Sequence, residues 1–356
     1  MKIWQRYFIK EVLKVFFLII ILFYGLHILI DYASHSGSHS HYKTWIELFR
    51  YYSSDFVQRI DVLAPFALLI ASIRTLTLIR SQNELTALLT SGLKLHASLR
   101  PFVLLGLLFT TLVYLNTEYF LPYALTELRH IHDRRSELKN QKNKNIAARN
   151  IALKDNTTLI FQSYDTVRQI FFDAYWIKSA DEIYRIKYLH PYTEVPTGEY
   201  VDLFVRNQFG EITKSGSFEK KQMPELHFNK KVLLDTLTSP EELPLTALWK
   251  KHWESSSKVL GEKEASLEAV FFRKLAIPWF CLLAVIAPAP FCIRFSRNQS
   301  TFFIYAIAIF SLVACFLIID AAWVLAERQV VPPAWAIGIP FFFLICPPLW
   351  RFVLLK

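Results

Sequence analysis

The sequence predicts an α-helical membrane protein with six transmembrane helices and an external all-β, jellyroll-like domain. Three observations carry this reading. The chain of 356 residues is 53% hydrophobic and 15% aromatic, with 30 phenylalanines and a mean hydropathy of +0.27, richer in apolar side chains than a typical water-soluble domain. Six apolar segments, near 12–32, 58–80, 101–123, 269–293, 301–326 and 333–353, are each long enough for a hydrocarbon core that takes about 20 helical residues. Between the third and fourth of them the pattern changes from helical to alternating. The expected organisation is 1–129 for three spans, 130–265 for the β domain with helical flanks, and 266–356 for three more spans.

The first span follows Lys2, Arg6, Lys10 and Lys14, a basic start like that of a signal peptide. No small-x-small site closes a short apolar core, so an uncleaved span is expected. His27 and Asp31 near its far end read as interfacial groups. After it, Ser34-His-Ser-Gly-Ser-His-Ser-His41 reads as a polar turn, with a zinc or pH-sensing role for His35, His39 and His41 the less favoured alternative. Arg74, inside the second span, is expected to snorkel to its near end.

Ser81–Gly92, between the second and third spans, is the most informative stretch. Leu85, Leu88, Leu89, Gly92 and Leu93 fall at i, i+3, i+4, i+7 and i+8, giving a short helix one apolar face. Ser81 with Glu84 predicts a capping box at its start, and Gly92 predicts its stop. A helix over 82–91, about 15 Å long, cannot cross a bilayer. It has the form of a coupling helix, through which a membrane subunit receives force from a separate motor.

Arg129, His132, Arg134, Arg135, Lys139, Lys142, Lys144 and Arg149 form a basic run beyond the third span, offset by Asp133 and Glu137. Such runs are usually solvated helix faces. The stretches 158–162, 169–177, 184–189 and 200–206 are rich in β-branched and aromatic residues and read as strands. Asn156, Pro191, Pro196-Thr-Gly198, Asn207 with Gly210, and Ser215-Gly-Ser217 read as turns between them, and the even spacing suggests a sandwich, jelly roll or barrel. Helical pattern returns from about Leu243. Asp320, deep in the fifth span, predicts an interior partner or a cavity role, because an ionisable group there is costly. Cys281, Cys292, Cys315 and Cys346 lack paired spacing and read as buried small apolar residues.

Loop charges set the orientation. A cytoplasmic N-terminus places Lys2, Arg6, Lys10, Lys14, Arg74, Arg80, Lys94, Arg100, Arg294, Arg297, Arg351 and Lys356 inside, against Lys43, Arg50, Arg59 and Arg328 outside. Both termini and the 82–91 helix are then cytoplasmic, and the β domain is external. No phosphate-binding loop, H-E-x-x-H or G-x-S-x-G is present, so the chain carries no P-loop for ATP. No catalytic residue, cofactor, metal or nucleic-acid partner is expected.

The ordered features resemble a known family. They are a span with Pro65-Phe-Ala-Leu-Leu-Ile-Ala-Ser, then Asn83-Glu-Leu-Thr-Ala-Leu-Leu-Thr-Ser-Gly92, the β domain, Phe272-Arg-Lys-Leu-Ala-Ile-Pro278, and Val331-Pro-Pro-Ala-Trp335 before the last span. The chain resembles permease subunits of the lipopolysaccharide exporter, the LptF/LptG (YjgP/YjgQ) family. Asp320 and the Pro332-Pro333 pair lean towards the LptG branch.

The resemblance implies a non-catalytic permease of the bacterial inner membrane. It implies a pairing with a homologous second permease above a cytoplasmic ABC ATPase dimer, joined by a single-span periplasmic jellyroll protein. Lipopolysaccharide would leave the membrane lipid through a cavity between first and fifth spans. By the same resemblance, Glu84, Leu85, Leu88 and Gly92 would couple to the ATPase, with Glu84 read either as a cap or as a salt-bridge partner of that subunit. Arg129, His132 and Arg134, a few residues after Pro122, would meet lipid phosphates, with Asp320 on the substrate side. Another lipid- or lipoprotein-exporting or signal-transmitting ABC system is the alternative, and a membrane-embedded lipid enzyme is a third reading.

Overall fold

The structure is a computed structural model that describes residues 2–34, 45–140, 149–153, 157–165, 170–191, 195–207, 211–226, 239–255, 262–293 and 301–354. Residues 130, 132–140, 149–152, 163–165, 254–255 and 262–263 are described along the backbone only. His35, His39, His41, Lys142, Lys144 and Asn156 lie outside the described residues. The chain forms two compact units, one of 1–131 with 240–356 and one of 132–239.

The first unit is helical. Its elements are α1 (Ile3–Ser34), α2 (Trp45–Ser81), α3 (Glu84–Thr90), α4 (Leu95–Leu115), a π-helical turn (Asn116–Phe120) and α5 (Leu121–Asn140), which runs on into the second unit. After the β domain come a 3₁₀ turn (Pro240–Glu242), α6 (Leu245–Ser255), α7 (Glu262–Ala276), α8 (Trp279–Ile286), α9 (Ala289–Ile293), α10 (Thr301–Glu327) and α11 (Pro333–Val353). Among the described residues, six helical stretches are long and apolar enough to cross a membrane: 3–34, 45–81, 95–129, 264–293, 301–327 and 333–353.

Burial separates inner from outer spans. α2 and the α7–α9 stretch form the centre, and α2 buries Ala64, Ala67, Leu68, Ala71, Ser72 and Thr75 almost completely. α1 contributes one stripe, Phe8, Val12, Phe16, Ile19 and Ile20, at helical spacing. Its opposite face is exposed, as are most side chains of α10 and α11. Those apolar faces are what a lipid solvent requires. Proline breaks the fourth span twice, at Pro278 before α8 and at Pro288 before α9, because it removes a backbone donor and clashes with the preceding turn. Cys281, Cys292 and Cys315 are buried as expected. Cys346 is exposed, because α11 turns that face away from the bundle.

Among the described residues, the second unit forms a six-stranded antiparallel sheet in sequence order: β1 (Arg149–Ala152), β2 (Thr158–Asp165), β3 (Ile170–Ile177), β4 (Glu182–His190), β5 (Thr197–Arg206) and β6 (Ile212–Gln222). Each strand pairs with the next, so the described topology is a meander. One face buries Leu159, Phe161, Phe171, Ala174, Trp176, Tyr184, Ile186, Leu189 and Val201, closed by Met223 and Leu226. Asp173 and Tyr200, at φ 45° and 54°, are skipped in the pairing registers. The pairing keeps its register across both positions, while the β5–β6 ladder shifts register between Leu203 and Phe204, a bulge next to the edge strand. At Gly198 a Cβ would come within 2.8 Å of Val201 and 2.9 Å of Ile186, so only glycine fits. Ser215-Gly-Ser217, expected as a turn, instead lies inside β6. That strand is an edge, mostly exposed, and its polar side chains face water instead of alternating into a core.

Candidate functional site

α3 is short and held at both ends by backbone. Asn83 adopts a left-handed conformation at φ 58° before it, and no side chain caps its start. The expected capping box is therefore absent. Ser81 is the last residue of α2, and its hydroxyl donates back to the Leu78 carbonyl at 2.8 Å; Glu84 occupies the first helical turn instead of the third position of a cap. The other end is as expected. Gly92 sits at φ +85°, its N–H donates to Leu89 O at 3.0 Å, and Leu93 N–H donates to Leu88 O at 3.2 Å, the paired bonds of a Schellman stop.

Leu85 is buried in the helical core, with Leu88 and Leu89 packed against it. Thr86, Ala87, Thr90 and Ser91 are exposed. Glu84 faces α1, where the Tyr7 hydroxyl reaches its carboxylate at 3.5 Å. α3 is thus a shelf with an apolar root, an open polar face and one carboxylate.

At the other end of the bundle, the spans enclose a cavity of about 500 Å³. α1 contributes Tyr24 and His27, α2 contributes Arg59 and Asp61, and α7 contributes Arg273 and Lys274; Leu121, Leu125, Val270 and Trp323 supply apolar walls. The cavity is therefore amphipathic, and it is bordered by the first and fifth spans. Asp55, 5% exposed, accepts one bifurcated bond from Arg59 Nε–H, 2.9 Å to each carboxylate oxygen, and lies 3.0 Å from His27 Nε2. The Tyr24 hydroxyl donates to the Tyr52 carbonyl, and the Tyr52 hydroxyl donates to Asp31 at 3.2 Å. His27 and Asp31, expected to be merely interfacial, instead tie α1 to α2.

Asp320 has a partner on another helix, although its side chain is 46% exposed and does not line the cavity. Arg273 meets Oδ1 through Nε at 3.1 Å and Nη2 at 3.0 Å, and its guanidinium lies 4.8 Å from the Trp323 ring centroid. Lys274, 7% exposed, donates to the Glu241 carbonyl at 2.6 Å and the Leu243 carbonyl at 2.8 Å. Arg74 is exposed near the α3 end of its helix.

Arg129 does not stand open. Its Nη2 lies 2.6 Å from Glu242 Oε1, and Glu242 is 9% exposed. The side chains of His132 and Arg134 are outside the described residues. The π turn shapes this region: Asn116 Nδ2 donates to Val57 O at 3.0 Å, and Glu118 receives Thr246 N–H at 3.1 Å and the Thr246 hydroxyl at 2.5 Å. A carboxylate at the first turn of α6 suits its positive end. A π turn at such a place is a common mark of a working site.

Asp55, Arg59, Asp61, Glu118, Arg273 and Lys274 are cavity or cavity-adjacent groups that the sequence reading did not single out. The available signal was their ionisable character within apolar segments. Among the described residues, no cluster of His, Cys, Asp and Glu could hold a metal ion.

No curated protein matches the chain by sequence. A family profile described as lipopolysaccharide export system permease LptF/LptG matches residues 6–353. That profile treats the two branches together and does not separate LptF from LptG. With six spans, a β domain after the third and nearly the whole sequence matched, the chain belongs to the LptF/LptG family of lipopolysaccharide export permeases.

Proposed function

We propose that this chain is one permease subunit of an ABC exporter that extracts lipopolysaccharide from the bacterial inner membrane and passes it to a periplasmic bridge. The amphipathic cavity bordered by the first and fifth spans carries the reading beyond family membership. A phosphorylated amphiphile needs cations and apolar walls within one recess, and Arg59, Arg273 and Lys274 stand there beside Leu121, Leu125 and Trp323. ATP is hydrolysed by a separate cytoplasmic ABC ATPase dimer. A homologous second permease completes the pair, and a single-span jellyroll protein joins it on the periplasmic side.

In this reading both termini and α3 are cytoplasmic and the β domain is periplasmic, in line with the loop charges. Residues 1–129 and 266–356 carry the spans, and 130–265 carries the β domain with its helical flanks. Glu84, Leu85, Leu88 and Gly92 form the shelf on which the ATPase bears. Lipid phosphate replaces Glu242 on Arg129, with His132 and Arg134 further along the same helix, while Asp320 sets the position of Arg273 in the cavity wall.

The test is purification followed by reconstitution. The full chain should copurify with an equal amount of a second homologous permease and two ATPase chains for each such pair. Proteoliposomes of that complex should release lipopolysaccharide to a soluble periplasmic acceptor only with ATP. An ATPase with a homodimer of this chain, and no lipopolysaccharide release, would point to a different lipid or lipoprotein exporter. No ATPase at all would revive the membrane-enzyme reading.

A further inference from the structure

We propose a second lipid site, distinct from the transport cavity: a slot among α8, α9, α10 and α11 that holds one acyl chain of a glycerophospholipid, with the lipid phosphate at Arg351. The slot has a volume of about 370 Å³. Its residues on α10 recur at helical spacing, from Phe303 and Ile304 through Ile307 and Ala308 to Ser311, Leu312 and Cys315. That stripe is about 18 Å long at 1.5 Å per residue, slightly more than half of a hydrocarbon core about 30 Å thick. A single leaflet's acyl chain has this reach.

The slot exists because of proline. Pro288 and Pro290 disrupt the fourth span, and Pro347 and Pro348 fall within α11. The small side chains Ala284, Ala287 and Ala308 leave the gap between these helices unfilled. Water is a poor occupant. The space would take about ten molecules, each needing two to four polar partners, and the lining side chains offer only the Ser311 hydroxyl, the Cys315 thiol and the Arg351 guanidinium. Ile304, Leu312 and Cys315 form a buried back wall, whereas Phe303 and Ile307 are 64% and 63% exposed, so the slot opens on the outer face of α10.

Charge chooses the head group. Arg351, in the last turn of α11, lies 4.5 Å from the Phe291 ring centroid, and among the described residues no carboxylate lies within ion-pair distance of it. A guanidinium anchored on an aromatic face at the mouth of an apolar slot suits a phosphodiester. The slot lies at the same end of the bundle as α3, since Arg80 at the end of α2 bonds to the Cys292 carbonyl at 3.2 Å. The orientation proposed above therefore makes the lipid one of the cytoplasmic leaflet, while lipopolysaccharide would leave from the other. The site does not depend on what the transporter exports.

The test uses the full chain, with the subunits that accompany it, in nanodiscs containing phosphatidylglycerol with a diazirine at the acyl end. Mass spectrometry should place adducts on Ile307, Leu312 or Cys315 at about five times the yield on Phe310, which faces outward at 78% exposure. Ala308→Trp should cut the slot adducts at least about five-fold. Arg351→Gln, which leaves the slot intact, should cut them about three-fold for phosphatidylglycerol and leave labelling by a diazirine diacylglycerol unchanged. Equal labelling of slot and Phe310 would mean ordinary annular lipid and overturn the proposal. So would labelling of the slot by a lipopolysaccharide probe in preference to phosphatidylglycerol, or Arg351→Gln without effect. Unchanged adducts in a correctly assembled Ala308→Trp complex would also overturn it.

Discussion

Arg129 and Glu242 show how a residue chosen for one partner can be held by another. The family resemblance implied Arg129 as a phosphate ligand, and the structure places it 2.6 Å from a nearly buried carboxylate. Under the proposed function, a phosphate arriving there would have to displace Glu242, and the ion pair would set a threshold for lipid entry. Glu242→Gln should raise photo-crosslinking of lipopolysaccharide from a probe at Tyr123, which is exposed on the same helix. Arg129→Ala should lower it about ten-fold, because a charge-assisted contact is worth about 1.5–3 kcal/mol and 1.4 kcal/mol is a factor of ten. If Glu242→Gln lowers the yield as Arg129→Ala does, the pair is a structural brace. The same lesson applies to Asp320 and His27. Their position inside apolar segments announced a cost, but Arg273 and Asp55 became visible as partners only when the helices were packed. Arg273, Lys274 and Asp61 were equally marked by their place in apolar sequence; the pairing across helices was not legible there.

α3 separates what local sequence determines from what its neighbours determine. Gly92 was legible because a Schellman stop is written in one residue's conformational freedom. The start was misread because Ser-x-x-Glu is a valid capping pattern only where the preceding helix has already ended, and α2 runs through Ser81. β6 failed for the converse reason: nearly all of its side chains are exposed on both faces, so no alternation appears, while strands with one buried face were recognised. The glycine gives a clean test. Nothing lies within 4 Å of a Cβ built on Gly92, so a side chain there meets only the cost of the left-handed backbone, about 1–2 kcal/mol for most residues. Gly92→Val should loosen the end of α3 and lower the ATPase recovered with the complex by several-fold. Gly92→Asn should retain it, because asparagine tolerates this conformation. Glu84→Ala should weaken ATPase recovery or uncouple hydrolysis from lipid release while α3 persists. Loss in both glycine variants would show that the smallness of Gly92, and not its backbone, is what the partner reads.

For the whole molecule, orientation decides which end of the bundle would meet the proposed ATPase and which the proposed lipid exit, and the distribution of basic residues is what bears on it. Twelve lysines and arginines fall on one side of the short connections and four on the other, a bias that insertion follows closely when loops are short. The β domain is too long for its own charges to count, so it is carried to whichever side the spans dictate. A single-cysteine pair tests this on intact spheroplasts, with Cys281, Cys292, Cys315 and Cys346 replaced by serine or alanine. Asn207→Cys, just after β5, should react with a membrane-impermeant maleimide from outside. Ser91→Cys, on the exposed face beside α3, should react only after the membrane is opened. Both sites lie outside the six spans, so their reactivity reports sidedness and not depth. Reverse labelling would place α3 where no ATPase can reach it, and would move the Arg351 slot to the outer leaflet with its chemistry intact. Labelling of both residues from outside would mean that the second and third spans do not cross as a pair, and the six-span architecture would have to be redrawn from α2 onward.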